Sequence, residues 1–176
     1  MATNGVVKFK YNMITGSTVP LRKLGLFRAG ADQPVKAGEI LEKTYSTETT
    51  FVPLDSDFDH TGTDDALAVS DEEIKSGDRA GYYWVIVPRP GDVFECPLAS
   101  ASSMAIGTAL TYSSSQALTT GGSHPIGYAC GQDNYPTPQG HLSDDVSPDS
   151  GTTVKSTSYV QFTFKTASSW YKTFEQ

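Results

Sequence analysis

SYVQFTFK (158–165) places Val160, Phe162 and Phe164 on one side of the chain and Tyr159, Gln161, Thr163 and Lys165 on the other. Strict alternation of this kind belongs to a half-buried β-strand, because successive side chains leave a strand on opposite faces. The same period recurs at the other end of the sequence. In VKFKY (7–11), Val7, Phe9 and Tyr11 oppose Lys8 and Lys10. Between them, YYWVIV (82–87) is apolar on both faces, which predicts a strand covered on both sides. Shorter strand candidates are 23–28, 39–45, 65–70, 92–97, 108–113 and 125–131. Gly, Pro, Ser and Asp clusters such as PRPGD and TTGGSHP punctuate them. Ile126, Tyr128 and Cys130 should share a face. The only helix signal is Ser70 followed by Glu73, a capping-box spacing that predicts one or two turns ending at Gly77. The expected fold is all-β, a single β-sandwich or β-barrel domain with an extended N-terminal arm and a long polar loop.

The organisation follows from where the pattern lapses. Residues 1–34 read as a basic N-terminal arm with the first strand, and 12–38 as largely irregular. Residues 35–167 form the β-domain, from which the polar stretch 132–156 protrudes as a loop. Residues 168–176 form an aromatic tail. The 176 residues suit one domain of roughly 100–200 residues. Charge is unevenly spread: the net is +4 over 1–43, −13 over 44–151 and +2 over 152–176, giving −7 overall. An acidic chain repels phosphate, so no nucleic-acid partner is expected. No run approaches the roughly 18 apolar residues of a membrane span, and the first residues lack a signal-peptide core. Synthesis in the cytosol without a membrane partner is therefore expected. Cys96 and Cys130 should be small buried hydrophobes with free thiols.

A search for chemistry returns little. There is no phosphate-cradling glycine loop, no HExxH and no GxSxG elbow, so neither catalysis nor a cofactor is expected. Ser123 and His124 are adjacent on an extended segment, so their side chains diverge. Asp55, Asp57 and Asp59 match the first oxygen-ligand positions of a calcium loop. However, His60 stands where glycine is required and Ala66 where the bidentate Glu belongs. The expectation is an acidic solvated loop and no metal. The aromatics Tyr82, Tyr83, Trp84, Tyr112, Tyr128 and Tyr135 offer an alternative, a sugar-stacking platform, although core packing explains residues of this kind inside strands.

Three segments carry a resemblance. VKAGEILEK, GDVFECPLA and AIGTALTYSSSQALTTGGSHPIGYACG, spread over 35–131, resemble the small all-β decoration (cement) proteins that stabilise the heads of tailed bacteriophages. The matching features are a strand start at 36–40, a hairpin over 107–120 and a following strand at 125–129. They are turn and strand signatures, not catalytic ones. The resemblance implies a non-enzymatic virion protein on the outer capsid surface, made in the host cytoplasm. Its partners would be the major capsid protein and itself, as a homotrimer at local threefold axes.

On that basis the arm residues Lys8, Lys10, Met13, Leu21, Arg22, Lys23, Leu24, Phe27 and Arg28 are the expected capsid-binding set. Trp170, Tyr171 and Phe174 follow the last strand without a place in its alternation, and are expected to dock on the chain's own sheet or on a neighbouring subunit. The alternative function is a carbohydrate- or receptor-binding β-module of a virion fibre or surface protein.

Overall fold

The computed structural model describes residues 7–27, 34–45, 49–55, 67–131 and 153–165. Eleven strands and no helix occur among them. In chain order they are β1 (Lys8–Asn12), β2 (Arg22–Phe27), β3 (Ile40–Tyr45), β4 (Thr49–Pro53), β5 (Leu67–Ser70) and β6 (Gly81–Ile86). They continue as β7 (Asp92–Ala105), β8 (Ala109–Ser114), β9 (Ala117–Thr120), β10 (Pro125–Gly131) and β11 (Thr153–Phe164). The all-β reading is correct.

One sheet has the order β1-β7-β11-β10-β8-β9, and β9 returns to pair with β7. Five strands thus close into a barrel, which removes the open edges that a flat sheet leaves. The seam is β7. Its residues 92–95 pair with β1, and Leu98 then meets Leu118 of β9 in parallel. The alternating residues of SYVQFTFK do what their period dictates: Val160, Phe162 and Phe164 are buried. Phe164 lies 5.0 Å from Phe94 and 4.9 Å from Phe162 between ring centroids, and Phe9 meets Phe94 edge-on at 5.6 Å. Tilted and edge-on contacts suit the ring quadrupoles.

The second sheet, β2-β6-β5-β3-β4, is antiparallel throughout. All four residues of β5 are buried, as are Ile40 and Leu41 on β3. The sheet curls so that its two edge strands meet, with Phe27 of β2 at 5.9 Å from Phe51 of β4. Gly25 permits this approach, since a Cβ there would stand 2.7 Å from the Phe51 ring.

Glu39 fastens this sheet to the barrel. Its buried carboxylate accepts hydrogen bonds from Ser115 Oγ (3.0 Å), Gln116 Nε2 (2.9 Å) and the Lys36 N–H (2.8 Å). The Ile40 N–H donates to the Ser115 carbonyl beside it. The β8–β9 turn is thereby tied to the start of β3, and both sheets contribute to one hydrophobic core.

Several expectations need correction. No helix follows Ser70. Its hydroxyl donates to the Glu72 carbonyl, and Ile74 instead forms a two-way backbone bridge with Val35. The strand candidate 23–28 stands as β2, so the irregular part of 12–38 before it narrows to 13–21, which opens with a turn at 13–15. YYWVIV is covered on both sides only from Val85 onward. Before that point the strand alternates, with Tyr82 and Trp84 exposed on one face and Tyr83 packed against the core on the other. Residues 153–156, assigned to the polar loop, begin β11, where Thr153 and Val154 pair with Ala105 and Met104. Ile126 is buried while Tyr128 is partly exposed, and the register of β10 shifts on both of its partners.

Candidate docking surface

The segment 13–21 crosses from β1 in the barrel sheet to β2 in the second sheet, and a buried polar cluster holds its root. Asn12 Nδ2 donates to Asp92 Oδ1 (2.8 Å) and to the Pro90 carbonyl (2.9 Å), while its Oδ1 accepts from the N–H groups of Ile14 and Thr15 (both 2.9 Å). Asp92, itself buried, also takes the Arg89 N–H and guanidinium. Arg89 reaches on to the Val19 carbonyl at 2.8 Å. The Met13 N–H donates to the Gly91 carbonyl. Both ends of 13–19 are therefore pinned to the 89–92 turn.

What this pinned loop displays is apolar. Ile14 is 71% exposed, Val19 62% and Met13 47%. Beyond the loop, Leu24 is also exposed. It pairs across the strands with Trp84, as Leu26 does with Tyr82. Scattered exposed apolar residues are normal; three of them on one short backbone held at both ends make this loop a candidate contact surface. Arg22, on the same strand face as Leu24, pairs with Asp71 at 2.6 Å. Lys10 on β1 pairs with Glu95 at 3.4 Å. Exposed pairs such as these contribute little to stability.

The expected site residues distribute as follows. Lys8, Lys10, Met13, Arg22 and Leu24 lie at the surface. Lys23 is half-buried, Leu21 is packed against the core, and Phe27 is fully inside it, stacked edge-on with Tyr83 at 5.7 Å. Phe27 is thus a core residue and not available to a partner, because strand alternation turns it inward with Gly25. Arg28, Trp170, Tyr171 and Phe174 lie outside the described residues, as do Asp57, Asp59 and His60. Asp55 is exposed, and no metal-binding group of side chains occurs among the described residues. Residues that sequence reasoning left out are Ile14 and Val19. Their signal was an aliphatic side chain in a Gly/Ser/Thr-rich stretch with no strand period to bury it.

Beside the loop lies a groove of about 360 Å³, lined by Met13, Ile14, Arg89, Cys130, Thr163 and Lys165 among others. Thr163 and Lys165 share a face of β11 with Gln161, whose buried side-chain Nε2 has no acceptor among the described residues. Both cysteines are free; burial pushes the Cys96 and Cys130 thiols up to about 12.

Comparison with protein-family models, with curated proteins and with solved structures gives no match. The functional reading therefore rests on geometry and on the motifs above.

Proposed function

We propose that this chain decorates a bacteriophage capsid by binding the major capsid protein, acting through association and not catalysis. The observation that supports it is the braced 13–19 loop with Met13, Ile14 and Val19 exposed on it, and Leu24 exposed on the strand that follows. A preorganised loop loses little entropy on binding, so its contacts convert efficiently into affinity. Lys8 would bias the approach toward an acidic capsid face, while the charges of Lys10 and Arg22 are largely answered by Glu95 and Asp71. In the homotrimer that the resemblance implies, three such surfaces act together. Contacts that are weak singly then hold firmly through effective concentration.

Truncation is a poor test, since residues 1–28 contain β1, β2 and the buried Val7 and Phe27. Point variants are better. Val19→Asp combined with Leu24→Asp should abolish co-sedimentation with heads of the source virus, with the denaturation midpoint unchanged. Undiminished, saturable pelleting of that variant would overturn the assignment.

A second reading draws on Tyr82 and Trp84, exposed two residues apart on one face of β6. That spacing suits stacking against successive sugar rings. Glycan binding lost in Trp84→Ala, with head binding retained, would favour it.

A further inference from the structure

The groove beside the 13–19 loop takes walls from separate parts of the chain. Met13 and Ile14 come from the loop, Arg89 and Gly91 from the turn that pins it, and Thr163 and Lys165 from the end of β11. The loop and the end of β11 belong to the two net-basic stretches of the sequence, 1–43 and 152–176. No carboxylate stands among the described residues that line the groove. We infer that it receives a glutamate side chain, flanked by apolar residues, from the partner that covers Met13 and Ile14. The inference rests on the capsid reading for the identity of that partner, and adds the chemistry of what the partner inserts.

Charge selects the head of the guest. Lys165 is exposed and makes no ion pair among the described residues, unlike Lys10 and Arg22, whose charges are taken by Glu95 and Asp71. Arg89 is differently placed. Its Nε and Nη2 are held by Asp92 and the Val19 carbonyl, which fixes the guanidinium and leaves Nη1 to a guest. Thr163 adds a hydroxyl to the lining. An ammonium, a guanidinium nitrogen and a hydroxyl together suit a carboxylate, which accepts at both of its oxygens.

Shape selects the stem. Gly91 has a φ of 81°, and a Cβ there would stand 2.6 Å from the Ile14 side chain, so glycine is what lets Ile14 lie against the turn. Pro90 and Phe164 extend the apolar wall begun by Met13 and Ile14. A volume of about 360 Å³ exceeds a carboxylate head and admits a methylene stem with a neighbouring apolar side chain. Glutamate has one methylene more than aspartate to lay against these walls.

One partner accounts for both features. It lies on the exposed Met13 and Ile14, and the same segment turns its glutamate between them and Lys165. Apolar contact there excludes water from the ion pair and so strengthens it.

The test uses the full-length protein and a probe of this chemistry, the capped tripeptide N-acetyl-leucyl-glutamyl-leucine amide, beside its glutaminyl counterpart. In methyl NMR titrations the glutamyl peptide should shift the Met13 and Ile14 methyl signals saturably. It should bind about tenfold more tightly than the glutaminyl peptide, the scale of one charge-assisted hydrogen bond. Lys165→Met keeps the stem and removes the charge; it should erase that preference with the denaturation midpoint unchanged. The same variant should bind heads of the source virus about tenfold more weakly than the parent. Equal affinity for the two peptides would overturn the inference, as would a preference that survives in Lys165→Met or shifts that spare Met13 and Ile14. So would undiminished head binding by Lys165→Met. Heads that fail to bind the parent would overturn the capsid reading alone, because the peptides judge the groove without them.

Discussion

Asn12 and Asp92, eighty positions apart, are joined side chain to side chain at 2.8 Å, and through them the first strand is locked to the barrel seam. Asp92 is 1% exposed and serves Arg89 as well. Asp92→Ala would take the acceptor from three donor groups, the Asn12 amide, the Arg89 backbone N–H and the cationic Arg89 guanidinium. The expected cost is about 3 kcal/mol, read as a lowered urea midpoint. Because the same cluster braces the 13–19 loop, head binding should weaken by more than lost folding alone explains. Equal stability of Asp92→Ala and the parent would show that the cluster is incidental.

Glu39 invites a comparable test at the junction of the sheets. Glu39→Ala removes the acceptor for three donors and should cost about 2–3 kcal/mol in denaturant unfolding. Glu39→Gln, which keeps one acceptor oxygen, should cost less. Ser115→Ala in the Glu39→Ala background should add almost nothing, since its partner is already gone.

At Gly127, opposite Phe164, β10 runs tightly against β11. A Cβ there would collide with the Thr163 carbonyl oxygen and stand 2.8 Å from the Phe162 ring. Gly127→Ala should lower the thermal midpoint sharply, on the scale of an overpacked core at about 1–3 kcal/mol. Phe162→Leu should not rescue it, because the nearest clash is with the Thr163 backbone carbonyl and the Phe162 ring is itself core. A neutral Gly127→Ala would mean that β10 can slide away from β11 at no cost.

The thiols predict alkaline weakness. Burial raises Cys96 and Cys130 from 9.0 to about 12, so the native chain keeps protons that the unfolded chain releases. Their contribution is full below pH 9 and is lost as pH climbs toward 12. Tyr11, raised by burial and then by Cys130, acts in the same sense. Urea midpoints should fall across that window and fall less steeply in Cys96→Ala. An identical slope in the variant would remove the thiol from the account.

Much of the fold was legible because period-2 alternation is a local property. β1, β6, β8, β10 and the second half of β11 stand within two residues of their sequence-based positions. TTFVP (49–53) escaped notice because its threonines and proline blur the alternation, though it pairs along its whole length with β3. The first half of β11 hid in a polar stretch for the same reason. Only its long partner β7 reveals it. The register shifts in β10 were invisible, since a one-residue slip leaves no trace in composition. Of the expected capsid-binding set, Met13, Arg22 and Leu24 are exposed, as residues offered to a partner must be. Phe27 was misplaced because nothing local tells an inward strand face from an outward one when Leu, Gly and Phe occupy both.

The doubly used edge of β7 constrains the order of events at the ribosome. β1 is made early but has nothing to pair with until Glu95 exists, and the barrel cannot close until Phe162 reaches Phe94. The aromatic core is therefore assembled from contacts spanning most of the chain. Each loop must close before any reward is gained, which makes for slow folding. Through that interval β1 and β2 emerge as unpaired, hydrophobic strands whose natural alternative is each other's copies on neighbouring nascent chains.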